Sequence, residues 1–311
     1  MKGNHPIPTL VLTLCACLLP TACSKDTPEK TAPSKGTAVS AIPVVYTVNY
    51  PLKYFAERIG SGHIKAVFPS MEGDPAFWQP NAKAIQAFQK ADLILLNGAA
   101  YAKWVDMATL PEGTLVNTSI AFKDRYIKLE DAVTHSHGPE GEHEHTGTAF
   151  TTWLDFSLAV EQCQAIRAAF TSLMPDRKEA FQKSCNALAT ELNALDQMIK
   201  NIVAEKKDQP LVASHPVYQY FTRRYGLNMK SVHFEPGEAP DATMWADLEK
   251  LLAEHPAKWM IWEGIPMDEV VKRLEEMGIK SLVFDPCGNA PEQGDFSSVM
   301  NQNLENLKAA F

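Results

Sequence analysis

The chain has 311 residues, 45% of them hydrophobic, and a formal net charge of −8 at neutral pH. This length is sufficient for two domains of ordinary size. The negative charge leaves no basic face for nucleic acid, so we exclude nucleic acid as a partner.

The first 23 residues have the features of an export signal. An apolar run over residues 7–19 is too short to span a bilayer and matches the core of a signal peptide. The run is followed by small residues leading to Cys23, which resembles a bacterial lipobox, although Pro20 stands where leucine is usual. We favour Cys23 over Cys17 as the lipidated residue; a cleaved signal without a lipid is the alternative. Residues 1–23 are thus predicted to be a signal peptide with a lipobox.

Residues 24–42 follow as a polar segment rich in Lys, Thr, Pro, Ser and Gly. Because they offer almost no apolar surface to bury, we expect a disordered tether. No later segment is apolar enough to cross a membrane.

From residue 43 onward, apolar runs alternate with amphipathic ones in two βα series. The first series predicts strands at 43–48, 64–68, 93–96 and 114–116, with helices at 51–59 and 82–90. The second predicts strands at 211–214, 230–234, 259–262 and 281–284, with helices ending at 225, at 243–253, at 268–277 and at the C-terminus. Such series build parallel sheets covered by helices.

One unbroken helical pattern over residues 176–205 separates the two series and would be about 45 Å long. The sequence therefore predicts an α/β fold with two lobes, each a mostly parallel sheet flanked by helices, joined by one long helix. We place the N-terminal lobe at 43–173, the linking helix at 174–207 and the C-terminal lobe at 208–311. Open sheets of this kind bind ligands in the cleft beyond the carboxyl ends of their strands.

Residues 135–145 form a histidine-rich stretch with four of the nine histidines and three glutamates. Its glycines and proline make a helix unfavourable, so we predict a loop. Histidines two apart in an extended chain point to the same side and can share a cation, and imidazole with carboxylate suits zinc. A solvated polar loop is the alternative. The histidines are His135, His137, His143 and His145.

The cysteines beyond the signal offer one pair. Cys163 and Cys185 lie at equal distances from a Met-Pro-Asp turn, on the apolar stripes of two successive helices. An antiparallel hairpin would bring them level, so either a disulfide or two buried free thiols is expected. Cys287 has no evident partner.

Polar side chains stand at the predicted ends of three strands of the second lobe. His215 follows the strand at 211–214, Glu263 follows the one at 259–262, and Asp285 follows the one at 281–284. A single histidine at a strand end is often a hydrogen-bonded structural residue. Because three polar groups converge from one sheet, a ligand site is here as well supported as a structural role.

Several segments, taken in their order and spacing, resemble the metal-binding solute receptors of bacterial ABC transporters, in the zinc and manganese group and nearest to the zinc-uptake type. The resemblance implies two α/β lobes bridged by a long helix, a cleft for one divalent ion, and delivery to a membrane permease. The matching segments are 45–52, 73–75, 91–98, 153–155, 214–216, 224–227 and 284–286.

The chain departs from the usual ligand set of that family in the first lobe. Ala76 and Thr151 stand where the family usually has histidines, so only His215 and Asp285 carry over as metal ligands. Two protein ligands leave zinc short of its tetrahedral complement.

The histidine-rich stretch offers replacements, because His145 precedes Thr151 by only six residues. We predict that His143 and His145 complete a site with His215 and Asp285, while His135 and His137 bind a second ion weakly or none. The alternative leaves the loop outside as a collector and completes the cleft with Glu263 and Cys287.

These observations predict an exported lipoprotein, periplasmic or on the cell surface, attached to a membrane through its lipid. It would capture a divalent metal as cargo, zinc first and manganese or another transition metal second, and hand it to an ABC transporter permease. We expect no enzymatic activity, because the sequence has no His-Glu-x-x-His pattern. The alternatives are the same fold binding a metal complex, and a surface metal buffer or adhesin without transport.

Overall fold

The structure is a computed structural model that describes residues 41–71, 73–129 and 147–311, together with the backbone of 134–137 and 141–144. The predicted signal peptide, with Cys17 and Cys23, and most of the tether lie outside the described residues. Among those that are described, no helix has the length and apolar character needed to cross a membrane.

The N-terminal lobe is built on a four-stranded parallel sheet with the order β2-β1-β3-β4. The inner strands β1 and β3 are rich in Val, Ile and Leu that are largely buried, as expected for a sheet covered on both faces. The elements are β1 (Val44–Thr47), α1 (Tyr50–Gly60), β2 (Lys65–Val67), α2 (Ala82–Phe88), β3 (Leu93–Leu96) and β4 (Leu115–Asn117).

The C-terminal lobe repeats this design, with the strand order β10-β9-β11-β12 and every neighbouring pair parallel. Its strands are β9 (Leu211–Ala213), β10 (Met229–Ser231), β11 (Trp259–Trp262) and β12 (Lys280–Val283). Its helices are α5 (Gln219–Tyr225), α6 (Ala242–Glu254), α7 (Asp268–Glu276) and α8 (Phe296–Leu307).

One long helix, α4 (Lys178–Val203), joins the lobes and follows α3 (Phe156–Leu173) of the first lobe. The two helices are connected by a single 3₁₀ turn at Pro175–Arg177. The 26 residues of α4 span about 39 Å. It packs against α1 and α3 of the first lobe and against α5 and α8 of the second. The predicted α/β class, with two lobes joined by one long helix, is confirmed; the exact domain limits stay predictions.

A buried ion pair fixes this brace to the second lobe. Asp196 of α4 accepts hydrogen bonds of 2.8 Å from both Nε and Nη2 of Arg224, and one of 3.1 Å from the hydroxyl of Tyr225. Nε of Arg224 also lies 3.5 Å from Asp155, whose carboxylate caps α3 by accepting from the Ser157 amide. These contacts hold three helices from both lobes in one arrangement.

Cys163 on α3 and Cys185 on α4 meet between the packed helices. Both are buried free thiols, and Sγ of Cys185 lies 3.6 Å from the carbonyl oxygen of Cys163. Of the two predicted states, the structure has two buried free thiols. The alternative, a disulfide in the oxidised protein, stays a prediction.

The backbone of the histidine-rich stretch differs from the predicted loop. Strands β6 (Thr134–His137) and β7 (Gly141–Glu144) pair antiparallel in a register that sets His135 opposite His143. A second short pair, β5 (Lys128–Leu129) with β8 (Gly147–Thr148), connects this hairpin to the lobe. Glycine and proline disfavour a helix but are compatible with paired strands. The residue types therefore argue against a helix without distinguishing a loop from two paired strands.

Candidate metal centre

Each strand of the C-terminal sheet is followed by an ionisable side chain. Because the four strands are parallel, their carboxyl ends lie at one edge of the sheet. His215 follows β9, Glu263 follows β11, and Asp285 follows β12, each within two residues of the strand end. Glu235 lies farther along, in the loop after β10.

Three of these side chains form a compact cluster. Nδ1 of the buried His215 lies 2.9 Å from Oε1 of Glu235 and 4.0 Å from Oε1 of Glu263. Ligand atoms from the three residues all lie within 4.8 Å of one another. Ligand atoms around tetrahedral zinc, each about 2.0 Å from the metal, are about 3.3 Å apart. Side-chain adjustments of about an ångström would therefore enclose an ion.

Contacts between loops keep the cluster together. A Cβ placed on Gly264 would lie 3.3 Å from the ring of Pro236, so glycine lets the loop carrying Glu263 approach the loop carrying Glu235. The ring of His233, from the loop that also carries Glu235, packs at 86° to that of His215, with the ring centroids 5.6 Å apart. The imidazole of His215 is thus held in place by neighbours from two loops.

The electrostatics of the cluster favour a cation. Burial lowers the pKa of His215, but the hydrogen bond to Glu235 and the charges of Glu263 and Glu235 outweigh burial and raise it. Burial, together with the neighbouring acids, raises the pKa of Glu263 to about 7, although His215 opposes this shift. Without a metal, the site therefore retains protons near neutral pH, and a divalent ion can displace them.

Asp285 lies at the same cavity and is held by its own loop. Its Oδ1 accepts a 2.6 Å hydrogen bond from the Cys287 amide, and Asn303 bonds both its backbone amide and its carbonyl. Burial raises the pKa of Asp285 above its ordinary value, and the hydrogen bond from the Cys287 amide offsets only part of this rise. Cys287 is buried in a left-handed conformation with φ 57°, and its Sγ lies 3.9 Å from the Asn289 carbonyl oxygen. Cys287 therefore orients Asp285 through its backbone.

The cluster opens into a cavity of about 600 Å³ between the two sheets, and Asp74 and Thr151 line its N-terminal side. The hydroxyl of Thr151 donates to the carbonyl of Val217 and is therefore engaged. The alanine at position 76 is buried in the core. Ala76 thus packs in the core, and Thr151 lines the cavity with its hydroxyl bound to the backbone.

The structure brings together three of the predicted site residues, His215, Glu263 and Asp285, at one cavity. The side chains of His135, His137, His143 and His145 lie outside the described part of the chain, so their predicted roles stay predictions. The sequence analysis missed Glu235. The strand before it was predicted to end at residue 234, so Glu235 is an acid directly after a predicted strand. The same feature identified His215, Glu263 and Asp285 as polar residues at strand ends.

Comparisons with known proteins find relatives over almost the whole chain. The chain is 28% identical to the high-affinity zinc uptake system protein ZnuA of Bacillus subtilis (strain 168) over 319 residues, covering 96% of each. It is 27% identical to the zinc-binding lipoprotein AdcA of Streptococcus pneumoniae over 315 residues, which cover 97% of this chain and 60% of that protein.

Among solved structures, the metal-dependent lipoprotein YcdH from Bacillus subtilis superposes with a TM-score of 0.71 at 25% identity, covering 86% of this chain and 98% of that one. The family model described as "Zinc-uptake complex component A periplasmic" matches residues 45–310, and the chain therefore belongs to this ZnuA family.

Proposed function

We propose that the protein is an extracytoplasmic receptor that captures a divalent metal ion, zinc first, in the cleft between its lobes and hands it to an ABC permease. The observation that carries the proposal is the meeting of one imidazole and two carboxylates at the edge of the C-terminal sheet. Relatives named for zinc uptake and zinc binding support the choice of metal.

His215, Glu235 and Glu263 are the proposed primary ligands, with Asp285 as the fourth donor from the same sheet edge. Imidazole nitrogen and carboxylate oxygen are both zinc donors, and three charged acids around a neutral imidazole suit a divalent cation. In this proposal Glu235 takes the place that the sequence analysis gave to His143 and His145. The loop histidines are then a collector that raises the local ion concentration at the entrance.

Substitution of His215 tests this assignment. We expect His215→Ala to weaken zinc binding by about a hundredfold or more, since even residues that only orient a ligand cost 10- to 100-fold when removed. His63→Ala is the matched control, because His63 packs against Phe181 away from the cleft. Zinc titration by calorimetry, with circular dichroism to check the fold, gives the comparison. Unchanged affinity in His215→Ala would remove the central residue from the proposal.

Transport is separable from storage or adhesion. A strain that lacks the protein should grow poorly on limiting zinc and recover with the parent gene but not with the His215→Ala gene. A surface buffer or adhesin without transport predicts normal growth on limiting zinc in the deletion strain. We propose no enzymatic role, and a hydrolase screen with and without zinc would detect one.

Membrane attachment is proposed to run through a lipid on Cys23. Cys23→Ser should release the mature protein from the membrane fraction, whereas Cys17→Ser should leave it attached. Mass spectrometry of the mature N-terminus distinguishes lipidated Cys23 from lipidated Cys17 and from a cleaved signal without lipid.

A further inference from the structure

The proposed metal ligands occupy only one wall of the cavity. All four come from the C-terminal sheet edge, but only His215, Glu235 and Glu263 lie in one cluster. A tetrahedral ion held by these three has a fourth position that either Asp285 or a group on the opposite wall can take. The cavity measures about 600 Å³. A fully hydrated ion would fill much less, since six waters occupy about 180 Å³. The volume lies instead in the range of small-molecule sites.

The opposite wall is aromatic. The ring of Tyr101 packs edge-on to Phe150 at 5.3 Å and to Trp153 at 5.9 Å, and Phe77 packs edge-on to Phe150 at 6.0 Å. Nε1 of Trp153 donates a 2.8 Å hydrogen bond to the carbonyl of Pro286, which fixes this wall against the loop after β12. Phe77 and Phe150 remain partly exposed at the cavity. Such a surface suits an organic ring or an aliphatic segment better than an ion with its water shell.

Tyr101 adds a polar group without a partner. Its side chain lines the cavity with only 7% of the residue exposed, and its hydroxyl makes no hydrogen bond to any described residue. The hydroxyl itself has almost no exposed surface and lies 4.0 Å from the position that a Cβ on Gly288 would take, so it stands beside this lining residue, just under the cavity surface. A buried hydroxyl without a partner is unfavourable, and a ligand atom in the cavity would relieve the cost.

Charge limits what such a ligand can be. The described residues that line the cavity include Asp74, Glu235, Glu238, Glu263 and Asp285 but neither lysine nor arginine. An anionic chelator would be repelled by these carboxylates. A ligand that coordinates through neutral nitrogen would not be repelled, and nitrogen is a preferred zinc donor.

We propose that the cleft binds the metal ion together with a small uncharged organic ligand that donates an imidazole or amine nitrogen. His215, Glu235 and Glu263 hold the ion, the ligand nitrogen takes the fourth position in place of Asp285, and the ligand body packs on Phe77 and Phe150 beside Tyr101. This inference rests on the proposed function, because it requires that His215, Glu235 and Glu263 hold the ion.

Imidazole is the probe for this inference. Zinc affinity of the full mature protein is measured by competition with a chromophoric chelator while the imidazole concentration is raised. Imidazole in solution binds zinc and by itself weakens apparent binding to the protein, so tightening reports a ternary complex. We expect tightening of roughly tenfold, within the usual range of coupling between two ligands. Tyr101→Phe should lose part of the gain, and Tyr46→Phe, whose ring packs on Phe88, should keep it.

Thr151→His provides a second variant, because it places an imidazole of the protein on the same wall. It should bind zinc alone more tightly than the parent and gain nothing from added imidazole. Zinc binding that imidazole only weakens in the parent would overturn the ternary complex and leave the receptor proposal intact. An equal gain in parent and Tyr101→Phe would overturn the proposed contact. Failure to bind zinc at every imidazole concentration would overturn the receptor proposal itself.

Discussion

Glu235→Gln perturbs the metal centre without changing the shape of the side chain. In the structure Oε1 of Glu235 lies 2.9 Å from Nδ1 of His215 and within ligand reach of the same ion as Glu263. The substitution removes one negative charge from the cluster. Bonds to charged groups contribute about 1.5–3 kcal/mol, which corresponds to a zinc dissociation constant roughly 10- to 150-fold weaker.

The size of this effect should depend on pH. Glu235 helps to raise the pKa of His215, so Glu235→Gln lowers that pKa and reduces competition from protons. The difference in zinc affinity between parent and variant is therefore larger at pH 8, where protons compete less for the imidazole, and it narrows towards pH 6.

Competition with a chromophoric zinc chelator at both pH values measures the gap. Glu238→Gln is the control, because Glu238 lines the same cavity but lies outside the three-residue cluster, and it should change affinity little. If Glu235→Gln binds zinc as tightly as the parent at pH 8, Glu235 is not a ligand and the reasoning from the cluster is refuted.

Four further predictions concern Glu263, the histidine-rich stretch and the buried cysteines. Because Glu263 has a pKa of about 7, zinc must displace its proton to bind. The zinc affinity should therefore fall about tenfold per pH unit below pH 7 for each proton displaced. Calorimetry in buffers of different ionisation enthalpy should detect the released proton, and a zinc affinity that does not change with pH would contradict the prediction. As pH rises from 4.5, the ordinary pKa of a glutamate, through 7, the metal-free protein should lose the stability that this group contributes, because the folded state holds the proton more tightly than the unfolded state. Equal thermal midpoints for parent and Glu263→Gln at both pH 5 and pH 8 would argue against this. Deletion of residues 135–145 should leave one zinc bound with parental affinity and slow only its capture from dilute zinc; a large loss of equilibrium affinity would instead support His143 and His145 as ligands. Cys163 and Cys185 should resist alkylation in the native protein, since burial raises the pKa of both thiols. Both should react once the protein is unfolded without reductant. A native disulfide would instead leave both unmodified after unfolding.

The fold could be predicted from the sequence because its signals are local. Apolar runs bounded by glycine, proline and asparagine give the strands, and a stripe from Phe181 to Val203 gives the linking helix. The predicted bounds differ from the observed ones mainly at the ends. The helix predicted from 176 starts at Lys178, because Pro175–Arg177 forms a 3₁₀ turn.

The site could be predicted only in part. His215, Glu263 and Asp285 follow their strands within two residues, so strand position alone places them at the sheet edge. Glu235 lies four residues beyond the end of β10, and its approach to His215 depends on the path of a loop packed against Gly264. The strand predicted to end at residue 234 includes the buried Val232 and Phe234, whereas the hydrogen-bonded strand β10 ends at Ser231. The predicted strand end at residue 234 could have placed Glu235 at the sheet edge, but its contact with His215 joins two loops and has no local pattern in the sequence.

The role of Tyr101 was equally hidden. It lies in a segment with left-handed backbone at Ala99, Ala100 and Ala102, where neither strand nor helix periodicity applies. Its packing on Phe150 and Trp153 joins residues about fifty positions apart, so only the assembled lobe places its hydroxyl at the cavity.

Anomalous diffraction at the zinc edge from crystals of the zinc-loaded protein tests the central claim most directly. We predict one strong peak in the cleft, about 2.0–2.2 Å from a nitrogen of His215 and from carboxylate oxygens of Glu235 and Glu263. A strong peak found only on the histidine-rich stretch, residues 135–145, with none beside His215, would contradict the account.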